Sequence, residues 1–586
     1  MAITRRQFLT GATALCVSGA IGGTLSGCGS SETETKTETP TSYFYINGNV
    51  FTGDADNTWT EAFAVTDGKF AAVGTTEEIK ALATDSDEII DLYGTTVIPG
   101  LIEGHTHFGF MAAMHSLGYT EIPAGVTELD ASLKQVKKFV ADHPDYDQYV
   151  MGNFSQGLDL GAKELDEICA DKPVACVGMG LHCVYVNSKF MEIGQITKDT
   201  PDAIPGETYY VRDEDGNPTG KIVELPQTWD AFQKAIKVDN DKVKEKYLEL
   251  QDTYHSYGFT GIAEGGFLGL DEANMLDIIT DIEKDGDLKM VVCPASIWYG
   301  HTVTDLEEVK ERACSNKENY TTDLVRPGTV KMWADGTIGA HSALMREPYA
   351  DKDTCGVHLN TVEDLTACAE MCRDNDLNIH YHAIGDQAIE NVLTAYEAVG
   401  ETTGTKSIVH FQINAPDLIE RASKIDGLIV NMTPTWSNVA VTEEVEPLGD
   451  RRNTNGLYKE AMDAGITVNF GADSNGSESA WNPSMIMDVA MIRNPKKEGF
   501  FLKGEPCSFE EAVCAYSINV AKERRIDSEF GSIEEGKFAN FVIWDKETMD
   551  DLVDDGEAGF IKGVTKGLFN FARYVFFKGE VVYTRD

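Results

Sequence analysis

Basic residues are scarce in this sequence. Its 586 residues include 49 Lys and Arg against 96 Asp and Glu, which gives a formal net charge of −47. No basic cluster is large enough to reverse that charge locally. A surface of this kind repels nucleic-acid phosphates and anionic lipid headgroups, so nucleic acid is excluded as a partner. We interpret the acidity as a source of solubility rather than as the mark of a specific partner.

Paired cysteines and long apolar runs are also missing. There are 12 cysteines, but no CxxC pair, and those beyond Cys16 and Cys28 are scattered along the chain. This spacing excludes a dense disulfide framework, and it does not define a pairing. The apolar stretch at 11–26 is too short and too weak to span a membrane. With 42% hydrophobic and 9% aromatic residues, the chain is long enough for one large globular domain and a smaller one.

The N-terminal segment has the features of an export signal. Residues 4–9 carry the twin-arginine signature TRRQFL, and residues 25–28 carry LSGC, which resembles a bacterial lipobox. We therefore interpret 1–28 as a signal and Cys28 as a lipidated N-terminus; the alternative is an unprocessed cysteine. Residues 29–42 are polar and read as a flexible tether. The expected location is extracytoplasmic, reached by the twin-arginine route, with a lipid on Cys28 as the only membrane contact.

The pattern of apolar runs predicts two structural regions. Segments 43–94 and 530–586 read as short strands and turns, which we expect to form one small composite β-sandwich. Region 95–529 alternates strands with helices, which predicts the α/β class and a (β/α)8 TIM barrel with its active site at the carboxyl ends of the strands. The eight strands are expected near 95–101, 260–263, 289–296, 329–333, 378–382, 407–411, 428–432 and 467–471.

The interval between the first two predicted strands is too long for a simple connection. An insertion of about 110–250 is therefore expected there. It either forms a lid that shapes a substrate pocket or serves as a structural cap or oligomer contact, and the sequence leaves both open.

Polar residues recur where the predicted barrel strands end. His105 and His107 are two residues apart, so on a strand their side chains point the same way and can bind one metal ion. Taken singly, a buried lysine is more simply read as snorkelling and a buried histidine as a core residue. Their recurrence on successive strands instead indicates one site. The later members of the set are Lys331, His382, His410 and Asp473.

Several phrases around these residues resemble the amidohydrolase superfamily, and within it the amidohydrolase-3, or YtcJ-like, group. The phrases are the Pro-Gly at 99–100, KxxxDG at 331–336, HAIGD at 382–386, GAD at 471–473 and the closing motif at 515–517 and 531–539. The resemblance spans roughly residues 42 to 586.

The resemblance implies a role for each of the six residues. His105 and His107 would bind one divalent metal ion, and His382 and His410 a second. Lys331 would react with carbon dioxide to form a carbamate that bridges the two ions. Asp473 would bind metal and act as the catalytic acid/base. One or two ions per chain are implied; zinc is expected, although the ligands also suit manganese or iron.

The implied activity is hydrolysis of a non-peptide, amide-type carbon–nitrogen bond of a small molecule by a hydroxide that metal has activated. Candidate substrate contacts are His182, Glu264, His341 and Arg346, although a structural role is open for each of them. The alternatives are a deaminase with one metal and a ligand-binding lipoprotein without catalysis. The substrate, the disulfide pairing and the oligomeric state stay open.

The sequence also departs from the family pattern. Glu103 stands where relatives usually have Asp, and Asn540 stands where the closing motif often has Asp. The loop at 474–479 lacks a Trp-Pro phrase that is common in relatives, and Phe411-Gln412 follows the second single histidine. These differences leave the metal site intact and make the substrate harder to infer.

Overall fold

The computed structural model describes residues 42–123, 126–178, 182–204, 206–300, 305–434, 444–473, 482–492, 504–544 and 572–585. The predicted signal, Cys28 and residues 29–41 of the predicted tether lie outside these ranges, as does the 474–479 loop. Within them, no helix combines the length and apolar character needed to cross a membrane. The ten described cysteines are all free thiols.

The strands of the described residues are numbered in chain order. They are β1 Ser42–Ile46, β2 Asn49–Phe51, β3 Trp59–Thr60, β4 Ala62–Thr66, β5 Lys69–Gly74, β6 Glu88–Asp91, β7 Thr96–Pro99, β8 Leu101–Thr106, β9 Thr120–Glu121, β10 Tyr149–Phe154, β11 Val174–Gly178, β12 Cys183–Val186, β13 Tyr209–Arg212, β14 Pro218–Val223, β15 Phe259–Glu264, β16 Val291–Ile297, β17 Thr329–Trp333, β18 Asn378–Ala383, β19 Lys406–His410, β20 Leu428–Met432, β21 Thr467–Phe470, β22 Phe541–Trp544, β23 Ala572–Phe577 and β24 Glu580–Thr584.

The helices are numbered in the same way, and a 3-10 helix follows the thirteenth at Gly449–Thr454. They are α1 Thr76–Leu82, α2 Phe108–Ser116, α3 Leu129–Asp142, α4 Ala162–Asp166, α5 Ser188–Ile193, α6 Gln227–Ala235, α7 Asn240–Ser256, α8 Glu272–Lys284, α9 Leu306–Tyr320, α10 Val362–Asp374, α11 Asp386–Val399, α12 Pro416–Ala422, α13 Val445–Leu448, α14 Tyr458–Asp463, α15 Pro483–Ile492, α16 Phe509–Ala515 and α17 Ile518–Arg524.

The described residues fall into two compact units. One takes its residues from 1–101, 255–260 and 526–586, and the other from 102–254 and 261–525. The first unit contains a four-stranded sheet in the order β5-β4-β1-β6 and a six-stranded sheet in the order β24-β23-β22-β7-β2-β3. Strands from both sheets share one apolar core. The N- and C-terminal segments therefore form the composite β-sandwich that the sequence predicts.

The second unit is built on a parallel sheet of eight strands in the order β8-β15-β16-β17-β18-β19-β20-β21. The last strand returns to the first, because the Asp473 N–H donates to the carbonyl of His105 at 2.7 Å. Helices connect successive strands. The sheet forms a nearly closed barrel, and the predicted (β/α)8 fold is confirmed.

The predicted first barrel strand at 95–101 is wrong in position. This apolar run contains the whole of β7, which pairs with β22 in the sandwich, and ends at the first residue of β8, the true first strand of the barrel. Both strands are buried, so the apolar pattern hides the break between them. Gly100 separates them at a close approach, where an added Cβ would lie 2.4 Å from Oγ1 of Thr260. His107 consequently lies just beyond the strand, at the N-terminus of α2.

The long interval after β8 folds as an insertion within the second unit. Its six strands form a mixed sheet in the order β13-β14-β12-β11-β10-β9. The pairs β9–β10 and β10–β11 are parallel, whereas β11–β12, β12–β14 and β13–β14 are antiparallel. A buried apolar cluster that includes Val136, Phe154 and Tyr185 packs this sheet against its helices. The insertion thus has a core of its own.

Candidate metal centre

The six predicted metal-site residues come together at the carboxyl ends of the barrel strands. His105 lies on β8, Lys331 on β17, His382 on β18 and His410 on β19, while His107 and Asp473 follow β8 and β21 closely. The side chains of His105, His107, Lys331, His382 and His410 are buried, and the Asp473 side chain is 14% exposed. The charge of Lys331 acts on all five of the others. The barrel topology thus gathers residues that are far apart in the sequence.

The spacing of these side chains fits a metal ion. Nε2 of His105 and Nε2 of His107 lie 3.4 and 3.5 Å from Oδ1 of Asp473, and Nε2 of His410 lies 3.9 Å from Oδ2. One ligand atom from each of His105, His410 and Asp473 lies within 4.8 Å of the other two. Two ligand atoms each about 2.1 Å from one tetrahedral ion are about 3.4 Å apart. The donor set of imidazoles and a carboxylate also suits such an ion.

Each of three histidine rings has one ring nitrogen within hydrogen-bond distance of a neighbouring group. Nδ1 of His107 lies 2.9 Å from the carbonyl of Gly266, Nδ1 of His105 lies 3.0 Å from Nε2 of His380, and Nε2 of His382 lies 3.1 Å from the carbonyl of Gly336. A metal-binding histidine commonly donates its second N–H in this way, which fixes its tautomer and ring orientation. His105 and His107 are therefore left with Nε2, and His382 with Nδ1, as the nitrogen available for metal.

Lys331 is an amine buried without a partner. Its side chain is fully buried, and Nζ makes no hydrogen bond within the described part of the chain. Nζ lies 5.1 Å from the centre of the Trp333 ring. Burial lowers the pKa of Lys331 to about 7, and Arg524 acts in the same direction, whereas Asp473 opposes the shift. Burial therefore favours the uncharged, nucleophilic form of this amine.

Asp473 is the carboxylate nearest the histidine cluster. Burial raises its pKa to about 6, while Lys331 and His182 act to lower it. Its φ of 46° and the φ of 75° at His410 lie in the left-handed region that non-glycine residues rarely occupy. Such backbone strain concentrates at functional sites, where the surrounding structure maintains it. A carboxylate of this pKa can accept and return a proton near neutral pH.

The insertion contributes a His–Glu pair to the site. Nδ1 of His182 forms a short hydrogen bond with Oε1 of Glu224, and both side chains are buried. The His182 ring centre lies 6.1 Å from that of His382. Burial acts to lower the pKa of His182, but the negative charges of Glu224, Asp473 and Asp335 outweigh it, and the pKa is raised. The insertion thus brings an imidazole, paired with a carboxylate that favours its protonated form, to the metal side of the barrel.

The other predicted substrate contacts have different surroundings. Glu264 is buried next to His107; its Oε2 accepts the N–H of Gly109 at 2.7 Å, and burial raises its pKa to about 8. Nε2 of His341 lies 3.0 Å from Asp351. The guanidinium of Arg346 donates to Glu390 and to Asp417, at 2.8 Å each. A substrate contact by any of these three residues stays a prediction.

The site also depends on residues that sequence reasoning missed. Buried Asp335 accepts the N–H groups of Leu344, Ile384 and Gly385 at 2.8, 3.0 and 2.8 Å, which ties the segment after β17 to the end of β18. Its place in the KxxxDG phrase was a usable signal. His380 is buried on β18, and its Nε2 lies 3.0 Å from Nδ1 of His105. Glu523, on a short helix with charged neighbours, gave no signal at all.

A family model described as "Amidohydrolase family" matches residues 88–583. The chain belongs to the amidohydrolase family. The resemblance read from its motifs is thereby confirmed, and the family is one of metal-dependent hydrolases. The twin-arginine signal and the lipidated cysteine lie outside what this match covers.

Similar proteins cover most of the chain. It is 28% identical over 421 residues to the exoenzymes regulatory protein AepA of Pectobacterium carotovorum, covering 69% of this chain and 87% of that protein. It is 25% identical over 540 residues to the N-substituted formamide deformylase of Arthrobacter pascens, covering 86% and 93%. An uncharacterised metal-dependent hydrolase from Pyrococcus horikoshii has a similar structure, with a TM-score of 0.67 at 21% identity, covering 86% and 97%. At that identity the structural likeness shows the fold alone.

Proposed function

We propose that this protein hydrolyses a non-peptide, amide-type carbon–nitrogen bond with the help of one or two divalent metal ions. The observation that carries the proposal is the group of imidazole nitrogens within 3.4 to 3.9 Å of the Asp473 carboxylate. The named activity of the relative from Arthrobacter pascens supports N-substituted formamides as one substrate class. Cyclic amides are proposed beside them.

In this proposal the histidine cluster and Asp473 would hold the metal. Zinc is the expected ion, because the nitrogen-rich ligand set suits it. When bound, a divalent metal supplies Lewis acidity, which stabilises negative charge on oxygen and lowers the pKa of water. Asp473 accepts the proton that water loses as its oxygen bonds to the carbonyl carbon, and gives that proton to the nitrogen as the carbon–nitrogen bond breaks. Water and an amide are thereby converted to a carboxylic acid and an amine.

Lys331 is suited to form the carbamate in this proposal. Its Nζ lone pair would bond to the carbon of carbon dioxide with loss of one proton, which converts a buried amine into an anionic ligand with two oxygens. The absence of a hydrogen-bond partner for Nζ in the described residues and the lowered pKa both favour this reaction. An ordinary lysine with no partner at this depth costs stability.

His182 is the proposed contact to the substrate carbonyl. Glu224 holds its Nδ1, so its Nε2 is free to carry the proton that a developing oxyanion needs. We also propose that the protein is exported by the twin-arginine route and anchored through a lipid on Cys28. The order of the twin-arginine signature, the apolar stretch and the lipobox supports this location.

The test combines metal content with turnover of a panel of formamides and cyclic amides. For the wild-type chain we expect two zinc equivalents by elemental mass spectrometry and measurable hydrolysis. Lys331→Ala and Asp473→Asn should lose bound metal and at least 100-fold in kcat/KM. His182→Gln should keep its metal and still lose 10-fold or more, because it removes only the contact to the carbonyl oxygen.

Asn187→Ala is the matched control. Asn187 is fully buried in the insertion, and its amide donates to the carbonyls of Cys169 and Lys172 at 2.7 and 2.8 Å, away from the barrel strands. It should lose stability but keep metal and turnover. One bound equivalent without amide turnover would favour the deaminase. A chain that binds ligands but no metal would refute the hydrolase and favour the receptor.

A further inference from the structure

A pair of oppositely charged residues is buried beneath the histidine cluster. Glu523 and Arg524 end α17, and their side chains are each only 1% exposed. Charged residues at the end of a short helix are normally solvated, and buried charges need specific partners. The partners of this pair therefore indicate its role.

The carboxylate of Glu523 is linked to the metal site through two histidine rings. Its Oε1 lies 2.9 Å from Nδ1 of His380, and Nε2 of His380 lies 3.0 Å from Nδ1 of His105. His380 is fully buried on β18, two residues before His382. The three residues form a continuous chain of hydrogen bonds that ends on a proposed metal ligand.

The position of Asp473 determines which ring nitrogen donates in each of these hydrogen bonds. Nε2 of His105 faces Asp473, so metal binding there requires the His105 proton to be on Nδ1, which donates to Nε2 of His380. The His380 proton must then be on Nδ1, where Glu523 accepts it. Oγ of Ser407, at 2.9 Å, is a second acceptor, because its own proton is donated to the carbonyl of Ile379. One Arg524 nitrogen lies 3.4 Å from each ring nitrogen of His380, and its charge opposes a second proton on that ring.

Hydrogen bonds to Glu523 and Arg524 connect this end of the hydrogen-bond series to other parts of the barrel. The Asn469 amide on β21 donates to Oε2 of Glu523 at 2.7 Å, and Oγ1 of Thr405 donates to its main-chain carbonyl at 2.7 Å. Arg524 donates to Oγ1 of Thr329 on β17 at 3.0 Å. These bonds leave Glu523 little freedom, so the direction of each proton in the chain is fixed with it.

We propose that Glu523 and His380 are positioning residues that set the tautomer and ring orientation of His105 for metal binding. The inference rests on the metal site of the proposed function. Residues that hold a metal-binding histidine from behind typically contribute 10- to 100-fold to metal affinity or activity. A charge pair that only fills the barrel interior would contribute to stability without affecting metal affinity in particular.

The test measures zinc affinity of the full metal-free chain by competition with a chromophoric chelator, without any substrate. His380→Leu removes the acceptor for the His105 proton and should weaken the tightest zinc site by about 10- to 100-fold. His380→Gln restores an acceptor near the position of Nε2 and should recover part of that loss. Glu523→Gln keeps the shape of the side chain but removes the charge that fixes the His380 proton, and should weaken zinc binding by about 10-fold.

Thermal unfolding of each metal-free variant separates effects on zinc affinity from effects on stability. Asn187→Ala is the control, because it should be destabilised and still bind zinc normally. If His380→Leu does not fold, the Glu523→Gln result decides. Wild-type zinc affinity in Glu523→Gln, or equal losses in His380→Leu and His380→Gln, would overturn the inference.

Amide turnover is measured separately, which keeps the two proposals distinguishable. A chain that hydrolyses no amide but shows the graded loss of zinc refutes the proposed function and supports the positioning role. A wild-type chain that binds no zinc overturns both.

Discussion

Glu103 connects the first barrel strand to the last. Its Oε1 accepts the N–H groups of His105 at 3.0 Å and of Ala472 at 2.8 Å. Its other oxygen has no hydrogen-bond partner in the described residues, and burial raises its pKa to about 8. The departure from the usual aspartate therefore lies directly behind the metal site, where the carboxyl fixes the backbone of a proposed metal ligand.

The raised pKa of Glu103 predicts that the metal-free protein loses stability as the pH rises. In the unfolded chain this carboxyl ionises near 4.5, whereas in the folded chain it does so near 8. Its contribution to stability is therefore full below pH 4.5 and is lost as the pH rises toward 8. Glu103→Gln keeps an accepting oxygen without the charge. We therefore expect the free energy of unfolding of this variant to rise relative to that of the wild type by up to about 1.4 kcal/mol per pH unit across this window.

Urea unfolding of both metal-free proteins at pH 5, 6.5 and 8 measures this difference. Parallel pH profiles would contradict the prediction and would mean that Glu103 stays ionised in the fold.

Among the site residues, the sequence predicted those that recur at the ends of strands. It missed those whose role depends on a contact that only the folded chain makes. His105, His107, His382 and His410 could be found because each follows an apolar strand. Glu224 and Glu523 could not, because their partners His182 and His380 are 42 and 143 positions away in the sequence. A single carboxylate in a polar segment looks solvated until the fold buries it.

Strand β22 determines whether the composite sandwich is complete. It pairs antiparallel with both β7 and β23, so it joins the two ends of the chain in one sheet. Phe541 on this strand is fully buried and stacks on Phe576 with ring centres 4.1 Å apart. Edge-on contacts to Tyr45 and Phe63 connect it to the facing sheet.

Phe541→Ala should therefore lower the free energy of unfolding by about 3–5 kcal/mol, through lost burial and the cavity that remains. Trp59→Ala on β3 is the control, because Trp59 is 38% exposed and should contribute far less. Urea unfolding measures both. A loss in Phe541→Ala no greater than that in Trp59→Ala would show that the sandwich core repacks around the missing ring.

Element prediction succeeded where strands are separated by helices and failed where two strands adjoin. Strands β17 and β20 match their expected bounds in full, because a glycine precedes each apolar run and Gly336 or Pro434 follows it closely. Strands β7 and β8 were merged, because a run buried on both faces shows no alternation to mark the break. The sheet within the insertion was not resolved from sequence because its strands are only two to six residues long, too short for a clear period.

At the scale of the whole molecule, the acidic composition bears on the proposed lipid anchor. With a net charge of −47, the protein has no electrostatic attraction to anionic headgroups. Cys28→Ser should therefore release the exported protein fully, even at low salt. To check this release, expressing cells are separated into membrane and soluble extracytoplasmic fractions. Mass spectrometry of the N-terminus then shows whether a lipid is attached. Retention of Cys28→Ser on the membrane would point to a second contact.

The pairing of Pro99 with Phe541 also has a consequence for synthesis. While the ribosome is still making the barrel, β7 has no partner on the side that β22 will occupy, so an open strand edge persists in the nascent chain until β22 emerges. Such an edge is a site for aggregation, and pairing at this sequence distance is slow. The sandwich can therefore close only once β22 has been made, and a chain cut short before β22 is left with an exposed edge on β7.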